Sequence, residues 1–254
     1  MPNIIACRLA SYGNYQDRAW THLPEIGIRN VEIPAPSPEE LPAVKRRLAD
    51  HDLTATSLQG KADIKEPNAA EVLKPQFEAC AALGAKVLFL SLKAGETDRS
   101  VVWQRMRAIG DLARSFGVTV GVETHPDLVT NGDVGLETMK AVNHPNVRIN
   151  FDTANIYFYN RNRTAVGELI KVIDYVASVH LKDTPGGFEE WTFPVLGTGV
   201  VDFPVIFKML GDRGFKGPYT MELEGTQGVD RNEAEQLEYI ADSAAYLRRI
   251  GVLT

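Results

Sequence analysis

Short apolar or β-branched runs alternate with longer amphipathic runs along the chain. The short runs predict eight strands, at 4–8, 29–33, 54–58, 86–91, 118–123, 147–152, 177–182 and 219–223. The amphipathic runs predict eight helices, at 16–26, 38–50, 68–83, 98–116, 133–143, 164–175, 203–213 and 230–250. Strands that alternate with helices indicate βα units around a parallel sheet. Eight such units in 254 residues are typical of a single (β/α)8 barrel, here one domain over residues 1–254.

Residues at the predicted helix ends agree with this pattern. Ser37 precedes Pro38, which favours a capped helix start with proline at its first position. Asp202 stands before another helix in the same way, and Gly84 and Gly117 follow helices where a left-handed glycine is expected. No G-x-G-x-x-G motif follows the first strand, which disfavours a doubly wound dinucleotide fold.

The later strands carry polar residues on one face only. In 118–123, the valines share one parity while Thr, Gly and Glu share the other. The segments 147–152, 177–182 and 219–224 repeat this alternation. Successive side chains of a strand point to opposite faces, and in a closed barrel the face away from the helices points inward. We therefore expect the polar face of these strands to line the barrel interior.

Each of these four strands ends, on its inward face, with a residue type that binds metals: Glu123, Asp152, His180 and Glu222. They fall at the C-terminal end of the strands, where (β/α)8 barrels carry their active sites. Three carboxylates and an imidazole brought together repel each other unless a cation balances them. A lone strand-end glutamate is usually a surface residue and a lone histidine a hydrogen-bonded core residue. The four in register favour a site for Mn²⁺, Mg²⁺, Co²⁺ or Zn²⁺.

Composition narrows the class of protein. The chain is 44% hydrophobic and 24% charged, which excludes a disordered or fibrous protein. Its net charge of -6 disfavours nucleic acid as a partner. Two cysteines, Cys7 and Cys80, are too few for a disulfide framework or a structural zinc site. Neither a membrane-length apolar run nor a signal-like leader is apparent, so no membrane partner and a cytoplasmic location are expected.

The segments around the four candidate ligands resemble the xylose-isomerase-like TIM barrels, the sugar phosphate isomerase/epimerase superfamily. The matching segments are 122–125, 151–155, 179–183, 196–203 and 220–224. The resemblance implies that Glu123, Asp152, His180 and Glu222 hold one divalent metal ion, Mn²⁺ first, and that the two glutamates shuttle a proton. It also implies that Glu222, rather than Glu224, is the ligand.

Other residues are candidates for binding a substrate. His125 and Lys182 each lie two residues beyond a candidate ligand; a loop hydrogen bond and an ion pair with Glu123 or Asp152 are the alternatives. Many ketose epimerases of the superfamily have histidine where this chain has Asn155, which leaves the substrate class open. Three further candidates are Glu224, Arg8 and Gln59. An ion pair between Arg8 and Glu32, itself a pocket candidate, is the competing interpretation for Arg8.

Three loop features have two interpretations each. Trp191 and Phe193 follow the seventh strand and are candidates for covering the substrate. The turn at 197–199, Gly-Thr-Gly, has backbone N–H groups for an anion, or is a tight loop. Arg161 and Arg163 follow the sixth strand and are placed to receive a phosphate or a neighbouring subunit, or to lie in solvent.

The leading functional hypothesis is a metal-dependent isomerase or epimerase of a small sugar, keto sugar or sugar phosphate, acting through an enediolate. A lyase or dehydratase acting on a keto sugar or 3-keto-glycoside with the same site is the alternative. An endonuclease-IV-like enzyme would need several more histidines at the strand ends than the five of this chain allow. A non-catalytic barrel is disfavoured because all four candidate ligands are present. The expected partner is a small carbohydrate, and the expected assembly is a homodimer.

Overall fold

A computed structural model describes residues 3–253 and contains a closed parallel barrel of eight strands. The barrel strands are β1 (Ile4–Arg8), β2 (Asn30–Pro34), β3 (Thr54–Gln59), β4 (Val87–Leu90), β5 (Thr119–Glu123), β6 (Val147–Asp152), β7 (Val176–Leu181) and β9 (Pro218–Met221). Two short strands, β8 (Thr192–Phe193) and β10 (Gly225–Thr226), pair antiparallel in a separate sheet. The expectation of a (β/α)8 barrel is confirmed.

Helices surround the barrel and connect its strands. They are α1 (Ala19–Glu25), α2 (Leu41–Asp50), α3 (Ala69–Leu83), α4 (Arg99–Ser115), α5 (Gly132–Val142), α6 (Asn155–Tyr159), α7 (Ala165–Val172), α8 (Phe203–Asp212) and α9 (Glu233–Arg249). Two 3₁₀ segments, Leu9–Arg18 and Ile173–Tyr175, lie after β1 and α7. Within residues 3–253, no helix is both long and apolar enough to cross a membrane.

Strand register brings the candidate ligands to one end of the barrel. The pairing of β6 with β7 shifts by one residue after Ile149, which places Asp152 directly opposite His180. His180 in turn lies opposite Thr220 of β9, two residues before Glu222. The barrel closes where β9 pairs with β1, with Cys7 opposite Met221. All eight barrel strands are parallel, so their C-terminal ends form one mouth.

The alternation read from the sequence holds in the barrel. Val120 and Val122 of β5 are buried on the helix-facing side. On the inward side, Asn150 and Ser178 are also buried, and the Ser178 hydroxyl donates a hydrogen bond to Asn150 Oδ1 at 2.6 Å. A buried hydroxyl or amide is costly unless it is paired. The interior below the candidate ligands is thus a packed polar layer rather than an open channel.

Several element boundaries differ from the sequence expectations. The first helix is shorter than 16–26 because a 3₁₀ segment, in which Gly13 has a φ of +55°, occupies the residues before Ala19. Ser37 caps a turn, its Oγ accepting from the Glu40 amide, and α2 begins only at Leu41. The expected cap at Asp202 is confirmed by its bond from the Val205 amide. Gly84 follows its helix with a left-handed φ of +78°, as expected.

Candidate active site

Four side chains predicted as metal ligands come together at the mouth of the barrel. Glu123, Asp152, His180 and Glu222 each contribute one ligand-type atom, and these atoms all lie within 4.8 Å of one another. Each side chain comes from the C-terminal end of a different strand. Glu123 and Asp152 are the last residues of β5 and β6, His180 lies near the end of β7, and Glu222 directly follows β9. All four are buried, with Asp152 and His180 at 0% exposure.

The imidazole of His180 is held from outside the cluster by Glu32. The Nε2 atom of His180 lies 3.1 Å from Glu32 Oε1, and the Ser57 hydroxyl donates to the other oxygen of Glu32 at 2.7 Å. Burial alone would raise the pKa of Glu32, but His180, Arg8 and Ser57 together hold it below its ordinary value. A carboxylate only accepts, so Nε2 carries a hydrogen, and in the neutral imidazole the lone pair is then on Nδ1.

That lone pair points into the cluster. The Nδ1 atom of His180 is buried and makes no hydrogen bond, although it lies 3.2 Å from Glu222 Oε2. A buried nitrogen without a partner is costly in a native protein. The orientation matches the carboxylate–histidine–metal arrangement that fixes imidazole ligands.

The two carboxylate oxygens of Asp152 have different partners, one in the backbone and one in the candidate site. Its Oδ1 accepts from the amides of Ala154 and Asn155 at 2.9 and 2.8 Å, which caps the start of α6. The other oxygen, Oδ2, is buried and faces the ammonium of Lys182 at 2.9 Å. The cap thus fixes the direction in which Oδ2 faces the cluster.

Lys182 inserts its ammonium between the acids of the site. Its Nζ atom lies 2.9 Å from Asp152 Oδ2, 2.8 Å from Glu222 Oε2 and 2.7 Å from Glu224 Oε2. Burial alone would lower the pKa of Lys182, but Asp152, Glu224 and Glu123 raise it above its ordinary value. The side chain is therefore a buried cation. The expected ion pair with Asp152 is present, together with two pairs that the sequence analysis did not anticipate.

Arg8 and Glu123 complete the charged groups. The Nη1 atom of Arg8 contacts Glu222 Oε1, and its Nε lies 4.0 Å from Glu32 Oε1, so Arg8 bridges the two acids. Burial raises the pKa of Glu123, and the nearby His180 and Lys182 offset only part of that effect. A raised pKa makes the carboxylate a stronger base, which suits a role in general acid–base catalysis.

A cavity of about 200 Å³ opens directly onto this cluster. Six of the residues predicted to bind substrate line it: His125, Asn155, Lys182, Glu224, Arg8 and Gln59. Glu32, the other pocket candidate, does not line it and instead contacts His180. Asn155 is held by a bond from its Nδ2 to the Thr124 carbonyl at 3.0 Å. The substrate-binding roles themselves stay predictions, but the structure brings these side chains into one space.

Aromatic side chains form the outer wall of the cavity. Trp191 and Phe193, expected as a cover, lie against Phe158, with ring centroids 5.7 and 6.3 Å away. Tyr159 was not anticipated: its hydroxyl lies 2.7 Å from His125 Nε2, while His125 Nδ1 lies 2.8 Å from the Pro126 carbonyl. Burial raises the pKa of Tyr159 to about 12. The aromatic run at 157–159, directly after β6, was the available sequence signal.

The other candidate anion sites are occupied by the protein itself. In the turn at 197–199, the amides of Gly197 and Gly199 donate to Asp183 Oδ2 at 2.8 and 2.9 Å, so it is a tight loop. Arg163 donates hydrogen bonds to Asp133 and Glu168, so its guanidinium has a structural role in these ion pairs. The guanidinium carbon of Arg161 lies 4.1 Å from the centre of the Phe188 ring. Neither arginine lines the cavity.

Comparison with known proteins gives a consistent set of relatives. The sequence model of the family described as xylose isomerase-like TIM barrel matches residues 21–250. An inosose dehydratase from Erwinia tasmaniensis is 28% identical over 157 residues, covering 56% of this chain and 51% of the dehydratase. A ketose 3-epimerase from Arthrobacter globiformis is 26% identical over 226 residues, covering 78% of this chain and 74% of the epimerase. The match thus spans about half the length of the first relative and three quarters of the second.

Solved structures show the same fold. A D-allulose 3-epimerase from Methylomonas sp., solved with D-allulose bound, superposes with a TM-score of 0.74 at 20% identity, covering 98% of this chain and 96% of the epimerase.

Proposed function

Because the chain belongs to the xylose isomerase-like TIM barrel family, we propose that it is a divalent-metal-dependent isomerase or epimerase of a small sugar, keto sugar or sugar phosphate. One observation carries the proposal. Three carboxylates and one imidazole have ligand atoms within 4.8 Å of one another. Two of the carboxylates, Glu123 and Glu222, line a cavity of about 200 Å³ that also has polar and aromatic side chains in its walls.

The donor set fits a divalent ion. His180 presents a buried, unpartnered Nδ1, and Asp152 presents Oδ2 on the same side. Oxygen donors with one imidazole suit Mn²⁺, which we propose as the ion, with Mg²⁺, Co²⁺ and Zn²⁺ as chemically similar choices. When bound, such an ion supplies Lewis-acid stabilisation of negative charge on a carbonyl oxygen.

The glutamates of this chain are assigned the proton transfer. Glu123, with its raised pKa, is suited to exchange a proton with a carbon next to a carbonyl. Glu222, the second glutamate of the cluster, contacts both Arg8 and Lys182. If one glutamate removes a proton and the other returns one to the opposite face, the stereocentre inverts. Return to the adjacent carbon gives aldose–ketose isomerisation. General-base catalysis of this kind contributes about 10²–10⁴-fold.

Side chains around the glutamates bind the sugar and exclude water. We assign His125, Asn155, Gln59 and Glu224 to the substrate hydroxyls, since all of them line the cavity. The aromatic wall formed by Phe158, Trp191 and Phe193 limits the access of water to the reacting carbon. The proposal includes the homodimer expected from the sequence, which sedimentation velocity would test.

A dehydratase or lyase is the second candidate, and Lys182 favours it. Its ammonium contacts both Glu222 and Glu224 at the edge of the cavity. An ammonium in this position can donate a proton to a departing hydroxyl or alkoxide after the first proton is removed. Inosose dehydratases among the relatives support this alternative.

Deuterium exchange tests the proposal. The Mn²⁺-loaded protein in D₂O would be offered ketoses, ketose phosphates, inososes and 3-keto-glycosides, and the products followed by NMR. Deuterium next to the carbonyl, lost on chelation and in Glu222→Gln, is expected. The matched control is Glu137→Gln, an exposed glutamate on α5. An elimination product would favour the dehydratase instead. Tight metal binding without exchange in any class would contradict both.

A further inference from the structure

A second cavity, of about 730 Å³, lies beside the cavity over the acid cluster. We propose that this larger cavity is a subsite for an apolar substituent carried by the keto sugar, so that the substrate is a keto-glycoside rather than a free keto sugar. The inference rests on the proposed function, because it takes the smaller cavity to hold the reacting sugar.

The two cavities share walls. Gln59 ends β3 and Ser91 follows β4 directly, and both residues line both cavities. Each therefore lies at the barrel mouth, on the same side as Glu123. A ligand that passes Gln59 and Ser91 has one end among the charged groups and the other in the larger cavity. A sugar ring that is joined through one oxygen to a second group has this two-part shape.

The volumes of the two cavities also fit a sugar that carries a second group. Pockets that enclose a whole small-molecule ligand measure about 300–1,000 Å³. The cavity over the acids, at about 200 Å³, is smaller than this range. The adjoining cavity, at about 730 Å³, falls well inside it. The smaller cavity therefore suits one ring, and the larger one has room for a further group of similar or greater size.

The walls of the larger cavity are mainly hydrocarbon. Pro36 and Pro38 come from the loop before α2, and Val72 and Pro75 come from the first half of α3. Val72 is 45% exposed, which is unusual for a large apolar side chain on this protein. An aryl or alicyclic group would cover this surface and remove it from water.

Charge argues against a phosphate as the occupant. The larger cavity has one acidic and one basic side chain in its lining, Glu40 and Lys61, and both are exposed. Neither sign of charge dominates, so the cavity has no electrostatic preference for an anion. The balance is consistent with an uncharged, apolar substituent.

Hydrogen bonds hold the walls of the larger cavity in place. The side chain of Gln76 accepts from the Lys61 amide at 2.8 Å and donates to the Lys61 carbonyl at 2.9 Å. On the opposite wall, Glu40 accepts from the Ser37 amide at 2.9 Å. A Cβ on Gly60 would lie 2.8 Å from Gln76 Oε1 and from Leu90 Cδ2, so a larger residue there would displace these side chains. Walls fixed in this way lose little conformational entropy when a ligand binds.

Calorimetric titration with paired glycosides tests the inference. The Mn²⁺-loaded full chain would be titrated with phenyl and methyl β-D-glucopyranosides and β-D-galactopyranosides. These compounds carry no carbonyl group, so the heats report binding alone. We expect a phenyl glycoside to bind about tenfold more tightly than its methyl partner, because the ring buries apolar surface. Val72→Asp should abolish this advantage and leave methyl-glycoside binding unchanged. Val205→Asp, at an exposed valine on α8, is the matched control and should change neither.

Three results would overturn the subsite: equal binding of phenyl and methyl glycosides, equal loss of both in Val72→Asp, or no binding of any phenyl glycoside. Its failure is separable from failure of the proposed function. Deuterium exchange into free ketoses together with no phenyl advantage would reject the subsite alone. A phenyl advantage lost in Val72→Asp, with no exchange in any carbonyl compound, would reject the isomerase and keep the subsite.

Discussion

Glu32 and His180, 148 residues apart in the chain, form a buried hydrogen bond of 3.1 Å across the barrel interior. The carboxylate of Glu32 fixes the tautomer of the imidazole and turns Nδ1 towards Glu222 and Asp152. Ser57 in turn fixes Glu32 through its second oxygen. The direction of the proposed nitrogen ligand is therefore determined by Glu32 of β2 and Ser57 of β3, outside the group of four candidate ligands.

Replacing Glu32 by Gln is expected to weaken Mn²⁺ binding by about 10–100-fold, the usual cost of losing such a supporting carboxylate. The amide still offers an oxygen to Nε2 but no negative charge. Calorimetric titration of the metal-free protein with Mn²⁺ measures the effect, and far-UV circular dichroism checks the fold. Unchanged affinity in a folded variant would remove Glu32 from the positioning role.

Lys182→Met is expected to tighten Mn²⁺ binding by about tenfold, because the ammonium neutralises the same oxygens of Asp152 and Glu222 that would bind the ion. In EDTA the variant should melt at a lower temperature than the wild type, since buried carboxylates lose their partner. The rise in melting temperature on adding Mn²⁺ should be correspondingly larger.

Lys208→Met is the control for this change, because Lys208 is an exposed lysine on α8 paired only with Asp212. It should alter neither the metal affinity nor the metal-dependent rise in melting temperature. Weaker Mn²⁺ binding in Lys182→Met would instead show that the lysine organises the carboxylates for the ion.

Asp183→Ala is expected to lower the free energy of unfolding by about 3 kcal/mol or more, since three amides of the 197–201 loop lose their charged acceptor. Asp183 is fully buried and accepts from Gly197, Gly199 and Val201. Urea unfolding measures the change. Asp212→Ala, at an exposed site, should cost about 0.5 kcal/mol or less. A similar small cost at Asp183 would mean that water replaces the carboxylate.

Acid should reduce stability partly through Asp127. Partial burial would raise its pKa, but the Ala94 amide and Arg99 hold the pKa of Asp127 below its ordinary value. A carboxyl group with a lowered folded pKa stabilises the protein above its unfolded pKa of about 3.9. That contribution is lost as the pH falls through the lower, folded value. In Asp127→Asn, unfolding free energies measured from neutral pH down into acid should fall less steeply. Parallel curves for the variant and the wild type would contradict this.

The count of eight βα units was enough to predict the barrel, and the alternation of valine with polar residues in β5 and later strands then predicted that Glu123, Asp152, His180 and Glu222 meet. Side-chain parity tells which face a residue occupies, and eight parallel strands place their ends together. Parity does not tell which residue lies across the interior. The pairing of Glu32 with His180 and of Arg8 with Glu222 depends on strand tilt and stagger, which no local pattern reveals.

Loop structure was less predictable for a related reason. The sheet formed by β8 and β10 has two residues in each strand, too few for an alternating pattern. Tyr159 ends a helix of only five residues, below the length at which helical periodicity can be recognised. The larger cavity is bounded by segments that include 34–38, 59–62 and 72–76. Its existence follows from how these segments pack, not from any one of them.

Closure of the barrel has a consequence for the order of folding. The strand that precedes Glu222, β9, is the last barrel strand along the chain, and it pairs with both β1 and β7. A chain collapsed only as far as β7 would hold three of the four acid-cluster residues and lack the contact from Arg8 to Glu222. The complete cluster therefore forms only when the barrel closes. The moment at which metal binding appears during refolding would then report the pairing of β9 with β1, rather than the initial collapse of the chain.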